Sequence, residues 1–344
     1  MRKSAVVLFV FMIFMNINLS PEKIAVFPNI YQPSMMNISG DEIYILDGFS
    51  VKIYSMKDYR FLREFGKKGE GPGELLTTSD TGLTMIVIEN NILLNSVYKI
   101  VIYNRIGKIL KEKKFRDYLV EAVPINGNYV LTFYKWIDEA AHAITKLSDK
   151  NFKEINELYK TKLPQNHKIK KISIPPLCTY VRTTKDRIFL FDQQKDAIKI
   201  FNGKGNPKTD ITFKYDKIMT TQIFKDKIMN YLLSTPALKR LPENIRKRYL
   251  ERVYTPNILP VFKNSWIINN QIYIHTYREK QNKGEFLILD FSGKVEKVLY
   301  LPGSAKLNIR INPASIFTFH KGKYYYLLEN LDQEEWELHV IQLD

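Results

Sequence analysis

Few side chains in this sequence could perform catalysis, and their spacing does not group them. The five histidines are His142, His167, His275, His320 and His339. No two of them have the spacing on one element that a metal site requires. Asp47, Asn95 and Asp192 could offer oxygen ligands to calcium, but each stands at the end of a predicted strand, where such residues also terminate hairpins. We therefore predict no catalytic residue, no metal site and no cofactor.

A glycine-rich segment could bind a phosphate group through its backbone. Successive N–H groups can surround an anion, and Gly66, Gly69, Gly71, Pro72 and Gly73 follow one another closely. The segment lacks the Gly-Lys-Ser/Thr ending of a P-loop, Pro72 removes one donor, and a strand rather than a helix is predicted to follow. We therefore interpret these five residues as a structural loop, in which glycine permits positive φ angles.

Basic residues outnumber acidic ones, with 52 Lys and Arg against 36 Asp and Glu, which gives a formal charge of +16. A surface of this sign attracts lipid headgroups, acidic glycans or acidic proteins. One lysine-rich tract runs from 160 to 171. The predicted surface for an anionic partner lies in a second tract and consists of Arg240, Arg246, Lys247, Arg248 and Arg252. Plain solvation of a lysine-rich surface is the alternative.

The elements that must position these residues belong to a unit that recurs six times after residue 30. A complete unit contains four short β-rich runs separated by turns. The second runs are 43–47, 91–95, 128–132, 187–192, 271–275 and 323–328, and the third runs are 51–54, 100–103, 143–147, 198–201, 286–289 and 338–341. Turn residues precede most of the second runs, as they do in hairpins. Six matched four-strand units favour the blades of a β-propeller over unrelated hairpins in a β-sandwich.

Residues 216–256, between the fourth and fifth units, follow a helical pattern instead. We predict a helical pair inserted between blades four and five, with Thr235 and Pro236 at the start of a helix. Its apolar stripe, predicted to pack inwards, consists of Phe224, Ile228, Tyr231, Ile245 and Tyr249. The last unit has only three runs before Asp344, which would leave an open edge. We predict that residues 23–27 supply its outer strand, beside residues 338–343, and close the ring.

The loop from Phe65 to Leu75, with its Gly-x-Gly-Pro-Gly-Glu core, resembles the blade-connecting segment of NHL-type six-bladed β-propellers. It is most similar to that of exported bacterial "6-bladed β-propeller" proteins, and the recurrent strand–turn–Gly-Lys pattern resembles theirs over residues 25–344. The resemblance implies an all-β, six-bladed propeller and an exported protein, and hardly any activity.

The first twenty residues have the features of a targeting segment. Arg2 and Lys3 precede an unbroken apolar run from Ala5 to Met15, a length that fits a secretory signal and is short for a membrane-spanning helix. We predict a signal peptide at 1–20, with an uncleaved anchor as the alternative, and a propeller at 21–344. The location would be periplasmic, extracellular or envelope-associated. The single cysteine, Cys178, excludes an intramolecular disulfide.

The favoured function is a non-catalytic binding or scaffold module. It would present its loops and the basic helical insertion to a protein, peptide or glycan, with contact to an anionic membrane surface as a further option. The export signal argues against a nucleic-acid partner. The alternative is a propeller hydrolase or lyase with its active site at the mouth of the channel. Fold alone does not separate the two.

Overall fold

The structure, a computed structural model, describes residues 20–76, 83–166, 172–175, 177–303 and 315–343. The predicted signal segment up to residue 19, His167 and the three lysines Lys168, Lys170 and Lys171 lie outside this part of the chain. Within it, no helix is long and apolar enough to cross a membrane.

The strands form six antiparallel sheets that are built alike. The first sheet contains β2 (Pro33–Ser39), β3 (Glu42–Asp47), β4 (Ser50–Ser55) and β5 (Phe61–Phe65), and the second contains β6 (Thr84–Ile88), β7 (Asn91–Ser96), β8 (Lys99–Asn104) and β9 (Ile109–Lys114). The third contains β10 (Tyr118–Ile125), β11 (Asn128–Ile137), β12 (Ala140–Ser148) and β13 (Glu154–Asn166), and the fourth contains β15 (Thr179–Thr183), β16 (Arg187–Asp192) and β17 (Ala197–Asn202). The fifth contains β21 (Asn264–Ile268), β22 (Gln271–Lys280), β23 (Lys283–Leu289) and β24 (Val295–Leu301), and the sixth contains β25 (Phe317–His320), β26 (Lys323–Asn330), β27 (Glu335–Gln342) and β1 (Glu22–Phe27).

The sheets are arranged as a ring around their first strands. Strand β2 contacts β6 and β25, β10 contacts β6 and β15, and β15 contacts β21. The ring is completed where the Trp266 and Phe317 side chains meet, with centroids 5.2 Å apart. Each of the six large buried clusters combines side chains from two adjacent sheets. Six sheets that pack face to face around a common axis are the blades of a propeller.

The N-terminal strand closes the ring as predicted. Strand β1 lies antiparallel to β27 as the outer strand of the sixth blade. Its partners run from Trp336 to Val340, a few residues earlier than the segment 338–343 expected from the sequence. Phe27 is fully buried in the cluster between the sixth and first blades. The two ends of the described chain therefore share one blade.

The fourth blade has an irregular outer edge. Strand β17 has no regular fourth strand beside it; instead, Lys208 N donates to Ile200 O at 2.8 Å and Ile211 N donates to Ile198 O at 2.9 Å. The passing chain thus covers the backbone groups that the edge would expose.

The helical insertion lies between the fourth blade and the fifth. It contains α1 (Gln222–Ser234), α2 (Pro236–Lys239) and α3 (Glu243–Arg252), with β18 (Ile218–Met219) paired to β20 (Ile258–Leu259) at its base. Strand β19 (Val253–Tyr254) pairs in parallel with β14 (Ile172–Ser173) from the connection between the third and fourth blades. The sequence placed the helices between blades four and five, counting four-strand units only. If the two-stranded sheets that begin at β14 and β18 are also counted, β18 begins the sixth sheet along the chain and β21 begins the seventh. By that count the helices lie between positions six and seven.

The insertion differs from the prediction in two details. It consists of two helices joined by the short α2, rather than a simple pair; Thr235 closes α1 and α2 begins at Pro236. Ile228 is buried as expected, together with Leu232, and Phe224 and Tyr249 pack against them. Ile245, however, is 41% exposed, because α3 turns Tyr249 and Leu250 inwards instead. The prediction for Ile245 is therefore wrong.

The propeller has two unlike faces. The first strands begin, and the second strands end, at one face, as the pairs Pro33–Asp47, Tyr118–Tyr134 and Asn264–His275 demonstrate. We call it the insertion face, because the segment with α1 to α3 leaves and re-enters the ring there. The opposite face carries the turns between the first and second strands and between the third and fourth. Strand β1 begins at the opposite face, since Glu22 pairs with Val340 and Val340 with Tyr325.

Candidate functional site

A row of tyrosine rings crosses the insertion face over the second and third blades. The Tyr98 ring meets the Tyr118 ring edge-on with centroids 5.9 Å apart, and Tyr118 stacks on Tyr134 at 6.0 Å and 16°. Tyr98 lies between β7 and β8, while Tyr118 and Tyr134 are cross-strand partners of β10 and β11. Tyr98 is 46% exposed, whereas the other two rings are only partly accessible. The row therefore leads from solvent towards the interior.

A pocket of about 190 Å³ adjoins the exposed end of this row. Tyr98, Lys99 and Phe115 form part of its wall, and Gly69 and Leu76 lie on the side of the glycine-rich loop. Aromatic and aliphatic surface beside a few polar groups is the usual composition of a ligand site.

The row ends at Cys178, where the chain enters the fourth blade. The Tyr134 hydroxyl and the Cys178 thiol are hydrogen-bonding neighbours. The thiol also donates to Gln193 Oε1 at 3.1 Å, which accepts the Cys178 N–H as well. Burial raises the pKa of the Cys178 thiol to about 12. The thiol therefore stays protonated near neutral pH and is a poor nucleophile.

On the other side of Cys178 the site reaches the helical insertion. The Tyr277 ring lies edge-on to Phe224 of α1 with centroids 6.1 Å apart, and the Lys263 amine lies 5.9 Å from the Tyr277 ring centre. Burial lowers the pKa of Lys263 to about 8. Burial, followed by the charge of Lys263, holds the pKa of His275 well below its usual range. His275 is thus neutral at neutral pH, stacked on Phe286 with centroids 4.6 Å apart.

A buried ion pair lies below the row and joins three blades. Arg182 Nη1 is 2.8 Å from Glu121 Oε1, and the other carboxylate oxygen accepts the Val181 N–H at 2.7 Å. Arg182 also donates to Ser265 O and to Asn264 Oδ1, at 2.7 and 2.9 Å. Burial raises the pKa of Glu121, against the opposing effect of Arg182. Both carboxylate oxygens are occupied, so this pair supports the site mechanically and is not placed to act as a base.

The acidic and amide groups at the strand ends are bonded to partners near their own blade or on the neighbouring one. Asp47 pairs with Lys52 at 2.7 Å and accepts the Gln32 N–H at 2.5 Å. Asn95 donates to Val120 O at 3.2 Å, and Asp192 accepts from the Tyr159 hydroxyl and from Gln194 N. Across the described ranges, no three His, Cys, Asp or Glu side chains are grouped as metal ligands.

The other described histidines lie apart from one another. His320 ends β25 at the opposite face. His339 lies in β27, 2.9 Å from Glu337, and His142 contacts Ala140 O in the third blade. His275, by contrast, lies at the insertion face, where it is the cross-strand partner of Asn264.

The backbone amides of the glycine-rich loop are already used by acceptors of the protein itself. Gly69 N donates to Leu75 O at 3.0 Å, Gly71 N to Glu74 Oε2 at 2.9 Å and Gly73 N to Glu112 Oε2 at 2.7 Å. Gly66, Gly69 and Gly73 have positive φ angles, while Pro72 is exposed. An anion would have to displace these acceptors before it could bind the loop.

The predicted basic surface lies on α3 and in the turn that precedes it. Arg240, Lys247, Arg248 and Arg252 are exposed and Arg246 is half-buried. No side chain of α3 is buried. This surface is separate from the tyrosine row, which belongs to the second and third blades.

Sequence reasoning missed the tyrosine row, Cys178 with Gln193, and the Glu121–Arg182 pair. Tyr118 and Tyr134 are recognisable as partners only when the register of β10 and β11 is known, and a bulge between Leu119 and Glu121 shifts that register. Contacts between blades leave no periodic signal in the sequence.

Residues 28–180 match the model of a family described as "6-bladed beta-propeller" (DUF5128). The protein is a six-bladed β-propeller. The family match agrees with the six blades of the structure but does not identify the NHL subtype. No curated protein matches the chain.

Solved structures that are similar to this propeller are remote in sequence. A member of the DUF4221 family from Bacteroides vulgatus is 11% identical with a TM-score of 0.51, over 94% of this chain and 98% of that one. BamB from Moraxella catarrhalis is 10% identical with a TM-score of 0.35, over 89% and 71%. A luciferin-regenerating enzyme is 8% identical with a TM-score of 0.44, over 94% and 95%. At these identities the likeness concerns the fold alone.

Proposed function

We propose that this propeller is an exported, non-catalytic binding module that takes a protein, peptide or glycan on its insertion face. The observation that carries the proposal is the row Tyr98–Tyr118–Tyr134, which runs from an exposed ring beside a pocket to a buried thiol. Tyrosine rings supply a large, rigid and amphipathic contact area at low entropic cost, which is why they are enriched in binding sites.

The groups around the row favour binding over the alternative of a hydrolase or lyase. An enzyme of either class needs a nucleophile, base or acid that is available to its substrate. The Cys178 thiol is held protonated, Glu121 is occupied by Arg182 and Val181, and His275 is buried and neutral. What the face offers to a ligand is aromatic surface and hydroxyl groups.

The cellular location is part of the same proposal. The basic and apolar leader of residues 1–20 would direct the chain out of the cytoplasm, where its partner would be an envelope or extracellular molecule. A nucleic-acid partner is not expected there.

The test compares ligand capture by three forms of the protein. Wild type, Tyr98→Ala and Phe61→Ala are immobilised and exposed to the native envelope fraction and to a glycan array. Phe61 on β5 is 45% exposed, nearly the same as Tyr98, but it lies on an outer strand away from the row. We expect a ligand that wild type and Phe61→Ala retain and Tyr98→Ala loses by about tenfold or more, since a well-placed aromatic anchor contributes 2 kcal/mol or more.

Two results would contradict the proposal. Equal retention by all three proteins would show that the row does not bind the ligand. A hydrolytic or lyase activity abolished by Tyr134→Phe, in a variant that melts like wild type, would establish the enzyme alternative instead.

A further inference from the structure

The outer surface of the helical insertion is basic, and few acidic side chains offset its positive charge. Residues 239–252 contain six Lys and Arg side chains and only two acidic ones, Glu243 and Glu251. In the described part of the chain, Arg246, Lys247 and Arg248 form no ion pair with an acidic side chain. These three consecutive charges therefore keep their full attraction for an anionic surface.

The same segment exposes large apolar side chains beside those charges. Ile223 in the first turn of α1 is 70% exposed and Met219 just before it is 62% exposed; Met219 is the direct cross-strand partner of the exposed Ile258. Leu241 is exposed in the turn between α2 and α3, and Ile245 is exposed on α3. Exposed large apolar groups concentrated on one segment mark an interaction surface.

Helix α3 gains little from the rest of the fold. It has ten residues, none of them buried, and only Tyr249 and Leu250 pack partly against the cluster around Ile228. Helices shorter than about 12–15 residues are marginal in water unless a tertiary contact stabilises them. A surface that receives the exposed side of α3 would supply that contact.

We propose that the insertion docks the propeller on an anionic lipid surface. The basic side chains would lie among the headgroups, and Met219, Ile223 and Ile245 would enter the interfacial layer. A helix with Lys and Arg on one side and Ile and Leu on another is the arrangement found in interfacial membrane helices. The proposal goes beyond the ligand site, because it uses the outer side of the insertion and leaves the Tyr98 end of the row free.

A lipid surface is favoured over an acidic protein by how the apolar residues are placed. They are spread over four elements, β18, β20, α1 and α3, in a segment that also carries the basic residues. A planar, deformable headgroup layer can receive such separate side chains, whereas a protein partner needs one shape-complementary patch.

The experiment uses a local fluorescent reporter in the full chain, because the predicted leader could bind lipid by itself. Ile223→Trp places the reporter in α1, and Ile106→Trp is the matched control, since Ile106 is 76% exposed at the turn between β8 and β9 on the opposite face. Each variant is titrated with vesicles of brominated phosphatidylglycerol and of brominated phosphatidylcholine, and its quenching is compared with that of wild type. We expect extra quenching only for Ile223→Trp with phosphatidylglycerol.

The charge requirement is tested in the Ile223→Trp background. Arg246, Lys247 and Arg248 are replaced by Ser, and a control replaces the exposed Lys108, Lys150 and Lys153 of the opposite face, which removes the same charge. The first set should weaken vesicle binding on the order of 100-fold, because each basic residue near an anionic membrane contributes about fivefold. The control set should leave it nearly unchanged.

The proposal would be overturned by equal quenching with both lipids, by equal losses in the two triple variants, or by an acidic protein that binds the insertion while vesicles do not. Tyr98→Ala should bind vesicles like wild type. Failure of lipid docking and failure of the tyrosine row as a ligand site are therefore separate results.

Discussion

Lys23 Nζ lies 3.3 Å from Glu337 Oε1, so an ion pair joins the first strand of the described chain to the last. The same carboxylate group accepts from Asn330 Nδ2 at 3.0 Å and faces His339 Nε2 at 2.9 Å. Three side chains from β1, β26 and β27 thus meet at one acid. The closure of the ring depends on this cluster and on the apolar packing beneath β1.

We expect the closure to be sensitive to acid. The hydrogen bond from His339, with that from Asn330, lowers the pKa of Glu337 to about 2 in the folded protein. A carboxyl group with a depressed folded pKa stabilises the fold above its unfolded pKa, and this contribution is lost as the pH falls through the folded value. Between about pH 4.5 and 2, the melting temperature of wild type should fall more steeply than that of Glu337→Gln, as followed by circular dichroism. Parallel curves would exclude this role for Glu337.

Substitutions at two adjacent residues of β1 separate the contribution of its apolar packing to stability from that of its backbone hydrogen bonds. Phe27 is fully buried with its ring 4.3 Å from the Tyr54 ring, whereas Val26 points outwards and is 38% exposed. Phe27→Ala should lower the free energy of unfolding by about 3–5 kcal/mol, since it leaves a cavity between the sixth and first blades.

Val26→Ala is the matched control, because it leaves the strand and its backbone bonds in place and removes only exposed methyl groups. We expect less than about 1 kcal/mol from it in urea titrations. Similar effects of the two substitutions would mean that β1 is not docked on the sixth blade in solution.

The role of the glycine-rich loop can be measured at Gly66. Its φ angle is 88°, and an added Cβ would lie 2.9 Å from Phe49 O, a backbone atom that cannot easily move. Gly48 has a φ of 59° and open space around its Cβ position. Gly48→Ala should therefore cost only the conformational term of about 1–2 kcal/mol, and Gly66→Ala should cost that plus the clash, about 2–4 kcal/mol in total. Equal costs in urea titrations would show that the loop relaxes at Gly66.

The sequence predicted the parts of this fold that have a local signal. Strand β16 was located to the residue because a continuous run of β-forming residues, Ile188 to Phe191, lies between clear turns. The outer strand β1 was found from the cost of an unpaired edge. Ile245 was placed wrongly because helical spacing alone did not tell which side of α3 would face the propeller, a choice made by Tyr249 and Leu250.

The candidate site was much less predictable than the fold. Tyr98, Tyr118 and Tyr134 come from three elements of two blades, and Cys178 meets them only after the fourth blade closes on the third. The Glu121–Arg182 pair joins residues that are far apart in sequence. Such contacts depend on how far each blade is twisted and offset against the next, and residue types and spacing do not encode that directly.

The last prediction concerns the thiol at the inner end of the tyrosine row. Cys178 is only 2% exposed, its sulfur is held by Gln193 and Tyr134, and burial raises its pKa to about 12. At pH 8 the thiolate fraction is therefore very small and alkylating reagents have little access to it. Iodoacetamide should leave native Cys178 unmodified over hours and modify it within minutes in 6 M urea, as read by intact-protein mass spectrometry. Tyr134→Phe removes one hydrogen-bond partner but not the burial, so its native labelling should stay slow. Fast labelling of the native wild type would show that the face opens in solution and that Cys178 is available to a substrate, which would support the enzyme alternative.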